Sequence, residues 1–342
     1  MSNYGPASAG NIELEKVLNG LSKEANGVPA TTGNVYFVIP SSDSNYDEFY
    51  NKYQKTYSDG TMAVHNTIAS AYSDVTTNRH DIIMLSANSA HAQTSMLSIA
   101  KNRVHFVGMS MRGGGFGMGA RTRITMGVTT AATDLAVLQN TGVGNTFRNL
   151  KFDNANTKDE SLYAVVEAGE YAIYENCEFY MSSQLDDTNA AELAMNGDSS
   201  TFNRCWIGSS IAPLSGDVVH PCMLLTKSIV AGKYLVDSVF NECVFARMAS
   251  NVNNRFVYGA NATDVNRMLW FKGCMFFNNP QSGVTPALVI DMAAAQTHGA
   301  IVVDQNCIAV DVTLMGTTGE GTYTLAPTAG VYATSGLSED AD

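Results

Sequence analysis

The side chains of this 342-residue chain that could do chemistry are few and unaligned. A glycoside hydrolase would use two carboxyl groups at a defined separation as acid and base. A polysaccharide lyase would need carboxylates around Ca²⁺ with an Arg or Lys beside them. The candidates are Asp186, Asp187, Glu192, Asp198, Asp237 and Asp264, which fall in loops or stand singly. Glu175 and Glu178 flank Cys177 and read as solvated strand residues. His65, His80, His91, His105, His220 and His298 show no partner spacing. His105 lies between Val104 and Phe106, so strand alternation puts it on an outer face, solvated or locally bonded. Gly115, Gly117 and Ala120 fit G-x-G-x-x-[GA], but Thr122–Met126 reads as a strand, so no helix N-terminus would receive a phosphate. The Gly113–Gly119 stretch reads instead as a loop leaving the body of the fold. No G-x-S-x-G, H-E-x-x-H or P-loop occurs. The sequence therefore assigns no catalytic, cofactor-binding or metal-binding residue.

What would position such groups is clearer, because a short phrase recurs. Its central residue is Leu150, Cys177, Cys205, Cys243, Cys274 and Cys307, at intervals of 27, 28, 38, 31 and 33. Each copy is rich in β-formers and is followed by small or polar residues. Repetition at this period marks a stacked-repeat architecture, in which no copy buries its apolar side alone. Five of the six cysteines hold one repeat position, so they stack about 4.8 Å apart as small apolar residues and stay reduced. Without a C-x-x-C pair or a histidine in register, no metal site is expected. Cys222 lies off the ladder and has no role in this reading. One aromatic or aliphatic residue per coil (Phe152, Phe179, Trp206, Phe245, Phe276) is expected to fill the core.

Along the chain, residues 1–10 read as a small-residue arm. Leu14, Val17, Leu18 and Leu21 then give residues 11–25 a narrow helical stripe with Asn11 at its N-cap. Val35–Ile39 reads as a strand, 41–60 as a polar, Tyr-rich stretch, and Met62–Tyr72 has helical spacing. Short strands run from Asp81 to Val310, with side loops expected at 183–198, 247–266 and around Pro213–Pro221. The organisation is thus a 1–32 arm and helix, a 33–310 repeat body and a 311–342 cap or tail, β-rich and ending acidic.

Thr67–Ala71, Asp81–Leu85 and Leu97–Gly108 together resemble the opening of pectate-lyase-like, right-handed parallel β-helix proteins, where a short helix caps the first coil and strands of the form l-x-I-x-K-N-x-V-x-I-x-G follow. The resemblance implies an all-β, single-stranded right-handed parallel β-helix with an N-terminal amphipathic capping helix. It leaves activity open, because the superfamily holds lyases, hydrolases, phage tailspikes and non-catalytic virion proteins.

A net charge of −12 excludes nucleic acid or an anionic membrane as the main partner. The expectation is of no secretory leader in Met1–Pro6, and no apolar run could span a bilayer. With no catalytic set, the main expectation is a bacteriophage virion structural protein. It would be assembled in the host cytoplasm and would decorate and cement the capsid as a homotrimer against the major capsid protein or other virion proteins. The alternative is a tail spike or carbohydrate-active β-helix, a polysaccharide lyase or hydrolase, acting on bacterial surface glycan. Carboxylates and aromatics lining one groove across three or more adjacent coils would favour that alternative.

Overall fold

The computed structural model describes residues 33–110, 122–127, 135–157, 160–182, 189–211, 219–227, 229–261, 263–292, 299–316 and 322–324. The helix expected at 11–25, the Gly113–Gly119 loop, Asp186, Asp187, His298 and most of the C-terminal segment lie outside the described residues.

Short strands of β-branched and aromatic residues alternate with turns, and each strand pairs in parallel with its counterpart one coil away. Ile173–Glu175, for instance, pairs with Thr146–Arg148 on one side and Thr201–Asn203 on the other. Among the described residues the chain visits three sheets in rotation, of eleven, eight and seven strands, here called the first, second and third sheets. This is an all-β, single-stranded parallel β-helix. Two of the expected side loops differ from expectation, since 183–198 contributes Ala191–Met195 and 247–266 contributes Val257–Gly259 to the third sheet. Their strands are short and broken by Glu192 and Gly259, so alternation hid them.

The recurring phrase is the turn from the first sheet into the second. Asn149, Asn176, Arg204, Glu242 and Gly273 all take left-handed backbone, with φ between 51° and 58°. The next residue, Leu150 or a cysteine, then points inward, and the pairing of Lys151 with Glu178, Glu178 with Trp206, and Val244 with Met275 keeps these positions in register. Each ladder thiol lies against a first-sheet carbonyl of the preceding coil: Cys177 3.3 Å from the Phe147 oxygen, Cys243 3.4 Å from that of Phe202, Cys307 3.5 Å from that of Phe271. All six cysteines are free and buried; Cys222 packs beside the Ala246 carbonyl at 3.5 Å.

Two aromatic stacks fill the core. Phe152 with Phe179, and Phe245 with Phe276, stack on the second sheet at 5.7 and 5.0 Å. Ile207, not Trp206, fills the position between these pairs, because Phe179 pairs with Ile207 and Ile207 with Phe245. Trp206, one residue earlier, faces outward. The longer stack was not read from the sequence: Phe106, Phe147, Tyr174, Phe202, Phe240 and Phe271 stand one above another inside the first sheet, with centroids 4.4–5.4 Å apart. Each contact adds about 0.5–1.5 kcal/mol beyond burial.

Among the described residues, two helices pack on the N-terminal coils. Helix α1 (Tyr46–Tyr53) sits within the stretch expected to be merely polar. Tyr46, Phe49, Tyr50 and Tyr53 form an i, i+3, i+4, i+7 stripe that covers the outer face of the first coils, with Tyr53 4.4 Å from Phe37. Helix α2 (Ile68–Asp74), where helical spacing was expected, is capped by Thr67 accepting from the Ser70 N–H, and it buries Ile68 and Ala71 in the solenoid core.

Candidate functional site

The strand after each ladder position turns alternate residues to the outer face of the second sheet, some of them covered by neighbours. The first outward row reads Arg123, Lys151, Glu178, Trp206, Val244, Met275, Ile308, and the second Thr125, Asp153, Tyr180, then Gly208, Ala246, Phe277, Val310. The rows come from seven adjacent coils, so a strip forms with charges at one end and apolar groups at the other.

At the charged end, the Lys151 ammonium lies 2.8 Å from the Glu178 carboxylate and 4.2 Å above the Tyr180 ring. Asp153 accepts from the Ser182 hydroxyl at 2.8 Å and lies 3.7 Å from the Arg123 guanidinium, which is about half exposed at 49%. Asp153 and Glu178 are one strand and two residues apart, about 8 Å between Cα atoms from sheet geometry. Glu178 was expected to be solvated, but its side chain is 1% exposed because Lys151 and Tyr180 lie over it. Towards the other end, Trp206, Ser210, Val244, Met275, Phe277 and Val310 line a groove of about 460 Å³. Trp206 is fixed by its indole N–H, which donates to the Gly208 carbonyl at 3.1 Å. Apolar ring faces and a few polar groups in one groove suit a ligand with both apolar faces and hydroxyls. Because both carboxylates are held in ion pairs, the strip is arranged for binding before proton transfer.

The residues weighed from sequence lie elsewhere. Glu192 is not in a loop: it faces inward and meets Arg247 through two bonds of 3.0 and 2.9 Å, both side chains at most 1% exposed. Burial raises the Glu192 pKa against the Arg247 charge. Asp264 is buried and accepts from Asn261, Asp198 accepts from its neighbour Ser199, and Asp237 pairs with Arg267 at 2.9 Å. Glu175 is bonded by Arg148 and Arg204. His105 does sit on an outer face but is covered, 3% exposed. None of these converges on the strip except Glu178. Among the described residues, no group of three or more His, Cys, Asp or Glu could hold a metal ion. Arg123, Lys151, Asp153, Tyr180, Trp206 and Phe277 were missed. Counting one and three residues past each Cys position would have found most of them.

No protein-family model matches the sequence, and no relative is found among curated proteins. Solved structures share the fold. Pectin methylesterase from Aspergillus niger has a TM-score of 0.52 at 14% identity, over 92% of this chain and 92% of its own. A pectin methylesterase solved with a hexasaccharide has a TM-score of 0.50 at 14% identity, over 91% and 94%. The Dettilon tailspike protein is more distant, with a TM-score of 0.34 at 12% identity, over 84% of this chain and 68% of its own. At these identities the likeness is one of fold: the chain is a parallel β-helix protein of the architecture that pectin methylesterases also use.

Proposed function

We propose that this protein is a carbohydrate-active β-helix that engages a glycan chain along the outer face of its second sheet. The observation that carries this reading is the single strip in which Asp153, Glu178, Arg123 and Lys151 continue into Tyr180, Trp206 and Phe277. The half-buried rings of Tyr180 and Phe277 would stack on sugars while the Arg123 guanidinium, the exposed charge of the strip, meets hydroxyl or acidic substituents. Asp153 is the residue best placed to take part in proton transfer, through release from the Arg123 side. Bacterial surface polysaccharides titrated calorimetrically should bind, and Phe277→Ala or Arg123→Gln should weaken binding at least tenfold, about 1.4 kcal/mol. New reducing or unsaturated ends, lost in Asp153→Asn, would add catalysis. Failure of every polysaccharide to bind would sink the reading.

A second reading rests on the apolar end of the same face. Ile308 is 46% exposed and continues the row of Val244 and Met275, a patch that a protein contact would cover. A virion structural role, with trimers seated on the major capsid protein or other virion proteins, accounts for such a row. Imaging of particles bearing stoichiometric copies on the shell would support it, and their absence from purified particles would exclude it.

A further inference from the structure

On the outer face of the first sheet, just beyond the area covered by helix α1, two imidazoles face each other. His80 Nδ1 and His105 Nε2 are 3.1 Å apart with one proton between them, and the rings are within 10° of parallel. His80 ends the turn before Asp81 and is half-buried; His105 opens the strand His105–Gly108 beside Ile82 and Thr146. His105 is 3% exposed, yet its Nδ1 atom has no hydrogen-bond partner. A buried polar atom without a partner carries a desolvation cost of about 1–3 kcal/mol unless something meets it.

The surroundings are basic. Arg103, on left-handed backbone and exposed, acts on His80 through its charge and enters no ion pair among the described residues. On the adjoining strand, level with Val107, is Arg148, whose guanidinium is engaged by Glu175, itself shared with Arg204. Burial holds His80 below the ordinary imidazole range, and Arg103 adds to this. Burial lowers His105 to about 3, reinforced by His80 and then Arg148. On a chain of net charge −12, this is a local positive field.

We propose that the cluster of His80, Arg103 and His105, with Arg148 on the adjoining strand, binds a tetrahedral oxyanion of the phosphate class. Arginine forks and imidazole N–H groups are the donors that an anion with several acceptor atoms engages best. Two neutral imidazoles carry two protons, one of them shared; the anion compensates the field and allows the pair to take up a third, so that both nitrogens outside the shared bond carry N–H groups that donate to it. This site is on a different sheet from the glycan strip and does not depend on it. The phosphate could arrive free or carried on a polymer.

The test follows the histidine Cε1–H resonances of the whole protein while inorganic phosphate is added at constant ionic strength. The His80 titration midpoint should rise by about one pH unit with phosphate and not with chloride. Arg103→Gln and His80→Gln, both at accessible positions, should weaken phosphate binding at least tenfold while circular dichroism and binding at the second sheet stay unchanged. A phosphorylated polysaccharide that binds more tightly than inorganic phosphate, and loses this in Arg103→Gln, assigns the site to polymer-borne phosphate; equal affinity assigns it to the free anion. Phosphate acting no differently from chloride, or both variants binding phosphate like the wild type, overturns the proposal.

Discussion

Glu167 shows how the interior of this solenoid handles charge. Its carboxylate accepts from the Tyr174 hydroxyl at 2.6 Å, the Gly169 N–H at 2.7 Å and the Asn140 amide at 2.9 Å, all out of contact with water. Burial outweighs these donors and raises its pKa to about 7. The folded chain therefore holds this proton more tightly than the unfolded chain does. Stability contributed here is present below the ordinary glutamate range, near 4.5, and is lost as pH rises to about 7. Denaturant unfolding between pH 4.5 and 7.5 should show a fall on the order of 2–3 kcal/mol, which Glu167→Gln removes. The Arg247–Glu192 pair obeys a different rule, since either partner alone is a buried charge. Glu192→Gln should cost about 3–5 kcal/mol, and replacing both residues by methionine should restore most of it. A double variant as unstable as the single would refute this account.

At the level of the turn and strand, the sequence was legible where one physical demand repeats. The Cys phrase was visible because the coils from Leu150 to Cys274 each need an inward residue after the same bend, and the thiols lie where that spacing put them. The longer aromatic stack was not visible, because the residue before it in each coil varies from His105 and Thr146 to Val239 and Trp270 and only the register aligns them. The candidate strip was missed for a related reason: its members are chemically unlike, from Lys151 to Phe277, and only their shared offset from the ladder groups them. The bend itself makes a prediction. Left-handed backbone costs a non-glycine residue about 1 kcal/mol or more. Glu242→Gly should therefore raise stability by about 1 kcal/mol, and Gly273→Ala should lower it by about 1–2 kcal/mol. A Cβ on Gly273 would meet nothing closer than 3.8 Å, so the loss would come from backbone conformation and not from a clash. Matched urea titrations would show it.

For the whole molecule, coils contact chiefly the coils above and below, so stability is close to a sum of neighbouring interfaces. The six thiols then report on the stack as a body. None should react with an aromatic disulfide reagent until the protein unfolds, and a reductant should leave the unfolding midpoint unchanged. Early labelling of Cys307, in the last coil of the second sheet, ahead of Cys243 would show the stack opening from its C-terminal end.

The uniform bend at Asn149, Asn176, Arg204, Glu242 and Gly273 has one more consequence. Because the circuits from Asn149 to Gly273 begin and end in the same backbone state, residues 177–204 could be excised, with Arg247→Met removing the charge that Glu192 would leave unpaired, and Asn176 spliced directly to Cys205 without disturbing the direction of either flanking strand. The molecule is in this sense a rod of interchangeable length, and lineages could lengthen or shorten it by whole circuits without inventing a new fold.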